Sequence, residues 1–169
     1  YRLSPTALRK SMPKGAGQGS GITLLMGYRP PYRWEEMLGF LGARAIDGVD
    51  MVKDGAYWRT AHFWDAKGKH VYGWVKVEHR PQKNALCVAV SETLLCVLPQ
   101  VLGRVNHLFD LVCDPAVVYE TLAGMNGIRP VLFVPGTRPS RSFVAVEMAG
   151  RAVLGQQRTI KAAATLADR

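Results

Sequence analysis

The residues able to do chemistry are few and scattered. The four histidines, His62, His70, His79 and His107, have no metal-ligand spacing and read as hairpin or helix-surface residues. Cys87, Cys96 and Cys113 form no CxxC pair. They are too few for a four-thiolate zinc or iron–sulfur site. Odd in number and widely spaced, they read as free thiols of a reducing compartment. No metal and no cofactor is expected. Glu35 and Glu36 are adjacent carboxylates, but they fall in the first turn of an expected helix. The positive end of the helix dipole favours acids there without any acid–base role. Ser91, beside Glu92, lacks the glycine pattern of a nucleophile elbow. No phosphate loop or dinucleotide fingerprint is present, and no catalytic constellation assembles.

One side chain asks for a destination other than a core. In the stretch from Pro30 to Ala45, the apolar residues Trp34, Met37, Leu38, Leu41 and Ala45 fall at helical spacing and form one stripe. Phe40 points roughly 120° away from that stripe at ~100° per residue. A large ring off the stripe of a short helix either packs on a second face or lines a cleft. Pro30 and Pro31 fix an extended lead-in, because neither fits a helix interior.

The elements that would position this helix follow in order. Residues 1–10 are too short to fold alone. Residues 11–21, with four glycines and two serines, read as a flexible linker. Ile22 to Tyr28 reads as a strand before the organising helix. A short strand at Val49 to Lys53 leads to Asp54-Gly55, a strong hairpin signal. Tyr57 to Trp64 suits a strand and Asp65 to Lys69 a turn. Val71, Gly73, Val75 and Val77 then alternate with Tyr72, Trp74, Lys76 and Glu78, the clearest period-two pattern in the chain. After a turn at Arg80 to Asn84, Leu86, Val88 and Val90 alternate again. The expectation is an antiparallel meander following a helix. Leu98, Leu102, Val105 and Phe109 suggest a second helix over Pro99 to Phe109. Asp114-Pro115 reads as the cap and first residue of a third, with Val118 and Leu122 on its apolar side and Gly124 at its end. Residues 126–142 read as a loop. Val146 to Leu154 and Arg158 to Ala167 read as helices broken at Gly155-Gln156-Gln157.

The chain has 169 residues, 48% of them hydrophobic, enough for a real core. No apolar run approaches the ~18 residues of a membrane span. The first residues show no secretion signal. Of the formal net charge of +9, residues 1–21 carry +4, with no acid. Residues 22–112 hold eleven bases against nine acids, and residues 113–169 seven against four. The excess favours a polyanionic partner such as nucleic acid, although much of it sits in the linker region.

Several motifs in order resemble one family. Arg29-Pro30-Pro31-Tyr32-Arg33-Trp34, Met37-Leu38-Gly39-Phe40-Leu41 and Ala43-Arg44-Ala45 are similar to the start of the AlkA family, bacterial 3-methyladenine DNA glycosylases II. The likeness continues through Val97-Leu98-Pro99, Leu108-Phe109-Asp110-Leu111, Asp114-Pro115, Val134-Pro135-Gly136 and Arg151-Ala152-Val153-Leu154-Gly155-Gln156-Gln157, so it spans roughly residues 22–169. Leu3-Ser4-Pro5-Thr6-Ala7-Leu8-Arg9 is similar to the end of an AraC-type helix-turn-helix domain, an order that suggests an Ada-like regulator fused to a glycosylase.

The resemblance implies an α+β fold: an antiparallel sheet flanked by helices, like half of the TATA-binding protein, followed by the first helices of an all-α domain. The expected division is a helix-turn-helix tail over 1–10, a linker over 11–21, the α+β domain over 22–112 and a helical glycosylase domain beginning over 113–169. Such enzymes flip alkylated purines out of double-stranded DNA and hydrolyse the N-glycosidic bond. The resemblance places Phe40 in the base-binding cleft and Gln156, Gln157 and Arg158 at the DNA, with Gln157 as the wedge. It implies a cytoplasmic, monomeric protein with no membrane partner. Three positions depart from the pattern. Arg33 stands where the family has a capping Asp, Thr137 to Val144 is longer and more basic, and Arg158 replaces an apolar residue. The helix-hairpin-helix and its aspartate have no counterpart before Arg169, so these residues alone are expected to excise no base. The alternative is a non-catalytic DNA-binding or domain-packing module.

Overall fold

A computed structural model describes residues 21–144 together with 149, 152 and 153, which are helical. The expected tail over 1–10, the linker up to residue 20 and most of the helices after Val144 lie outside the described residues; Gly21, placed in the linker, is instead the first residue of a strand.

Five strands form one antiparallel sheet: β1 (Gly21–Gly27), β2 (Asp50–Lys53), β3 (Ala56–Trp64), β4 (His70–Arg80) and β5 (Ala85–Ser91). Their order is β1-β5-β4-β3-β2, so β2 to β5 make the expected meander and β1 adds beside β5. The turns follow from local chemistry. Asp54 and Gly55, both at positive φ (52° and 70°), close the β2–β3 hairpin in the twist that two-residue hairpins prefer. At the β3–β4 turn, Asp65 Oδ1 accepts the N–H groups of Lys67 and Lys69, each at 2.8 Å.

Three α-helices lie wholly within residues 21–144: α1 (Trp34–Gly42), α2 (Leu98–Phe109) and α3 (Pro115–Leu122). The inner face of the sheet carries Tyr57, Ala61, Phe63, Val75, Val77, Leu86, Val88 and Val90, all buried. Their alternation along each strand is what presents one apolar face. Helices α1 and α2 cover that face. Trp34 of α1 stacks on Phe109 of α2 with ring centres 5.6 Å apart, and Phe109 meets Tyr57 of β3 edge-on at 5.7 Å.

The fold class is the expected α+β sheet with flanking helices, with local corrections. The organising helix stops at Gly42, so Ala45 follows it in a turn and is only half-buried. The buried stripe of α2 is Val101, Val105, Leu108 and Phe109. Leu98 and Leu102, expected at its centre, lie at its border and are half-buried. A 3-10 segment over Glu92–Val97, absent from the sequence reading, leads into α2 and buries Leu94 and Val97. It fits because Gly73 leaves room. A Cβ there would meet Ser91, Thr93 and Leu94 at 2.2–2.7 Å.

Candidate functional site

Helix α1 is anchored by Trp34, Met37, Leu38 and Leu41, all buried. The Trp34 ring is fixed further: Nε1 donates to the Gly55 carbonyl at 3.2 Å, and its face stacks on His79 at 5.5 Å. With those four facing inward, Phe40 turns outward and is 43% exposed. The guanidinium of Arg44, one helical turn on, rests over its ring at 3.7 Å from the centre. Arg44 Nη1 also donates to the Phe40 carbonyl at 3.4 Å.

The start of α1 is held by a segment far away in sequence. Arg33 N donates to the Gly136 carbonyl at 3.2 Å. Gly136 has φ 85°, and a Cβ on it would lie 3.1 Å from Pro31, so both conformation and space call for glycine. Arg138 is 93% buried by this packing and donates to the carbonyls of Asp110 (2.7 Å), Cys113 (3.0 Å) and Arg29 (2.5 Å). Its guanidinium lies 5.0 Å from the Tyr32 ring centre, and Tyr32 itself donates to the Phe109 carbonyl at 2.9 Å. Burial raises the Tyr32 hydroxyl pKa well above its ordinary range, against the opposing charge of Arg138. An exposed ion pair joins Arg29 to Asp114, whose other oxygen caps α3 through the Ala116 N–H.

Arg33 sits at the N-cap of α1 and makes no side-chain cap. It pairs instead with Glu36, which lowers the Glu36 carboxyl pKa through that hydrogen bond. Glu35 and Glu36 occupy the first turn, as the dipole argument expects. Gln156, Gln157 and Arg158 lie outside the described residues. Among the described residues, no three or more His, Cys, Asp or Glu side chains converge as metal ligands, and no helix is long and apolar enough to cross a membrane.

Sequence reasoning located Phe40 by its angular offset. It quoted Gly136 only within a family motif, without its role, and it missed Arg138; together these two fix the approach to Phe40's helix. Gly136 carried a signal, because Pro135-Gly136 is a turn pair. Arg138, one arginine in a loop, carried none.

A half-covered antiparallel sheet whose leading helix presents an aromatic outward defines an α+β module of a known fold. It matches a 3-methyladenine DNA-glycosylase from Archaeoglobus fulgidus with a TM-score of 0.64 at 18% identity, over 86% of this chain and 48% of that one. The chain belongs to the AlkA N-terminal domain family, whose model matches residues 23–143. It is 33% identical to "DNA-3-methyladenine glycosylase 2" of Escherichia coli K12 over 144 residues, 85% of this chain and 48% of that protein. It is 32% identical over 172 residues to the "Probable bifunctional transcriptional activator/DNA repair enzyme AlkA" of Mycobacterium tuberculosis CDC 1551 / Oshkosh, 98% of this chain and 33% of that protein. The chain thus spans less than half the length of either relative.

Proposed function

We propose that this chain serves a DNA repair glycosylase that flips alkylated purines from duplex DNA and hydrolyses their N-glycosidic bond, and that it supplies one wall of the base cleft. The observation that carries this reading is Phe40, an aromatic ring left outward by a helix whose other large apolar side chains are buried. A ring-alkylated purine is cationic. As its bond to C1′ breaks, the electron pair goes to the base, which leaves neutral, and water adds to the oxocarbenium carbon and gives up a proton. Such a leaving group asks the cleft for stacking and orientation more than for acid catalysis. An aromatic face suits a planar cation, and the Phe40 face already holds one in Arg44. The same reading gives Gln157 the wedge role, with Gln156 and Arg158 beside it at the DNA. It makes the protein a cytoplasmic monomer.

In the protein expressed from its full reading frame, Phe40→Ala is expected to slow purine release from alkylated duplex DNA by about 5-fold or more, the scale of one lost base–aromatic stack. Folding should be unchanged, because the side chain is not part of the core. Unchanged release would overturn the cleft role. Gln157→Ala is expected to weaken binding to duplex DNA holding an abasic-site analogue, read by anisotropy.

A second reading, a DNA-binding or packing module without chemistry of its own, is favoured by the carboxylates. Glu36 pairs with Arg33, Asp50 with Tyr57 and Arg59, Glu78 with Lys76 and Arg80, Asp110 with Arg141, and Asp114 with Arg29. Each of these carboxylates is already held by a cation or a hydroxyl. The 169 residues alone are therefore expected to release no purine above background.

A further inference from the structure

The outer face of the sheet, opposite the helices, carries an aromatic surface that the glycosylase reading does not use. On β3 the outward residues include Trp58, His62 and Trp64, and on β4 His70, Tyr72, Trp74 and Lys76. Trp58 and Trp74 lie 5.9 Å apart. At the hairpin end, the rings of His62, His70 and Tyr72 lie within 15° of parallel. His62 Nε2 and His70 Nδ1 are 2.8 Å apart, and His62 also contacts Trp64 at 4.7 Å. Cross-strand aromatic contacts of this sort stabilise a hairpin, but they leave Trp64 56% and Tyr72 40% exposed.

Two further observations say what this face suits. The first is charge. Once the buried Arg59–Asp50 pair is set aside, residues 53–83 carry six bases against three acids, and the rest of 21–144 seven against seven. The positive excess of the described residues therefore lies in the stretch that holds the aromatic face. Lys67 and Lys69 are exposed at the hairpin tip next to Trp64 and His70, and Lys76 stands over Trp58 at 4.8 Å. The second is rigidity. The projecting hairpin is pinned from behind, because Thr93 Oγ1 donates to the Tyr72 carbonyl at 2.7 Å and Gln100 Nε2 to the Trp64 carbonyl at 3.4 Å. Trp58 and Trp64 are six residues apart on one strand, or about 20 Å, enough for several nucleotides.

From this charge and this geometry we propose that the outer face of β3 and β4 is a docking ledge for a single-stranded DNA segment, with bases stacking on Trp64, Tyr72 and the Trp58–Trp74 pair and phosphates meeting Lys67 and Lys69. Aromatic rings with interleaved cations recognise unpaired strands with little sequence preference, because every base offers a π-face. A duplex hides those faces. The ledge lies across the sheet from Phe40 and would hold an unpaired stretch independently of any flipped base.

The test is titration of the 169-residue chain with a fluorescein-labelled oligo-dT of twelve nucleotides and with a duplex of equal length, reading anisotropy and tryptophan quenching. The single strand should bind more tightly and quench tryptophan. Trp64→Ala with Tyr72→Ala should weaken it at least about 5-fold, whereas Trp64→Phe should retain most of the affinity. Should the alanine pair lose the fold by circular dichroism, Lys67→Ser with Lys69→Ser replaces it and should shallow the salt dependence by roughly one to two charges. Equal binding by wild type and either variant, or a preference for duplex, would overturn the ledge and leave only non-specific attraction by the basic N-terminal stretch. Base release by the full-length protein is read separately, so the two proposals fail independently.

Discussion

Asp50 is the residue on which the β2 side of the sheet depends most. It is buried, accepts Tyr57 Oη at 2.9 Å and the Ile46 N–H at 2.8 Å, and lies 3.9 Å from Arg59 Nη1. Arg59 is equally buried, with Phe143 under its guanidinium at 4.4 Å. Removing one member strands the other charge in a low-dielectric site, a loss of about 3–5 kcal/mol. Asp50→Ala should show it as a lower urea midpoint with an unchanged slope, and a loss below ~1 kcal/mol would mean that water replaces the carboxylate. Gly136 is a second sensitive position. Gly136→Ala places a methyl 3.1 Å from Pro31 at a φ that L-residues rarely adopt, and a loss of roughly 1–2 kcal/mol is expected. The thermal midpoint checks it.

At the scale of elements, α1 has an uncapped start, and the competing magnitudes favour repairing it. Arg33→Asp would add a side-chain cap worth ~0.5–2 kcal/mol. It would remove the exposed pair with Glu36, an i,i+3 contact worth ~0.2–0.5 kcal/mol in helices, and put two acids in its place. A net gain below about 1.5 kcal/mol is expected in thermal or urea unfolding, and destabilisation would show that Arg33 matters through its pair. The same helix marks what a sequence reveals. Its stripe and the outward Phe40 were legible because both follow from 3.6-residue periodicity. The meander was legible because alternation and the turns at Asp54-Gly55 and Asp65–Lys69 are local signals. The stripe of α2 was misplaced by one face edge because Leu98, Val101, Leu102 and Val105 are all apolar, and only the sheet beneath decides which turn inward. Arg138 was illegible because its three acceptors are backbone carbonyls, which no side-chain pattern announces.

For the whole molecule, histidine sets a dependence on pH. Burial lowers the pKa of His79, which shares a 2.6 Å hydrogen bond with Tyr28 and stacks on Trp34, with Glu35 opposing the shift. His62 is lowered by burial and by neighbouring His70. A folded pKa below the unfolded ~6.5 means that the unfolded chain binds protons more readily. The stability these groups contribute is full above pH ~6.5 and is lost as pH falls through that value. The thermal midpoint should be lower at pH 5.5 than at pH 7.5, and His62→Gln with His79→Gln should flatten the difference. A midpoint that rises on acidification would contradict the assignment.

The contacts of Arg138 also bear on the order in which the molecule assembles. Its guanidinium joins a carbonyl 109 residues back along the chain to two others 25 and 28 residues back. Closing so long a loop is entropically slow compared with zipping adjacent strands. During synthesis the β2–β5 meander can therefore form while Arg138 is still inside the ribosome, and the lead-in to α1 can lock only after it emerges. Pulse-labelled hydrogen exchange during refolding should find the amides of β3 to β5 protected first and those around Arg33 last. A ribosome-bound chain stalled at residue 130 should keep the sheet and leave the first turn of α1 open to protease.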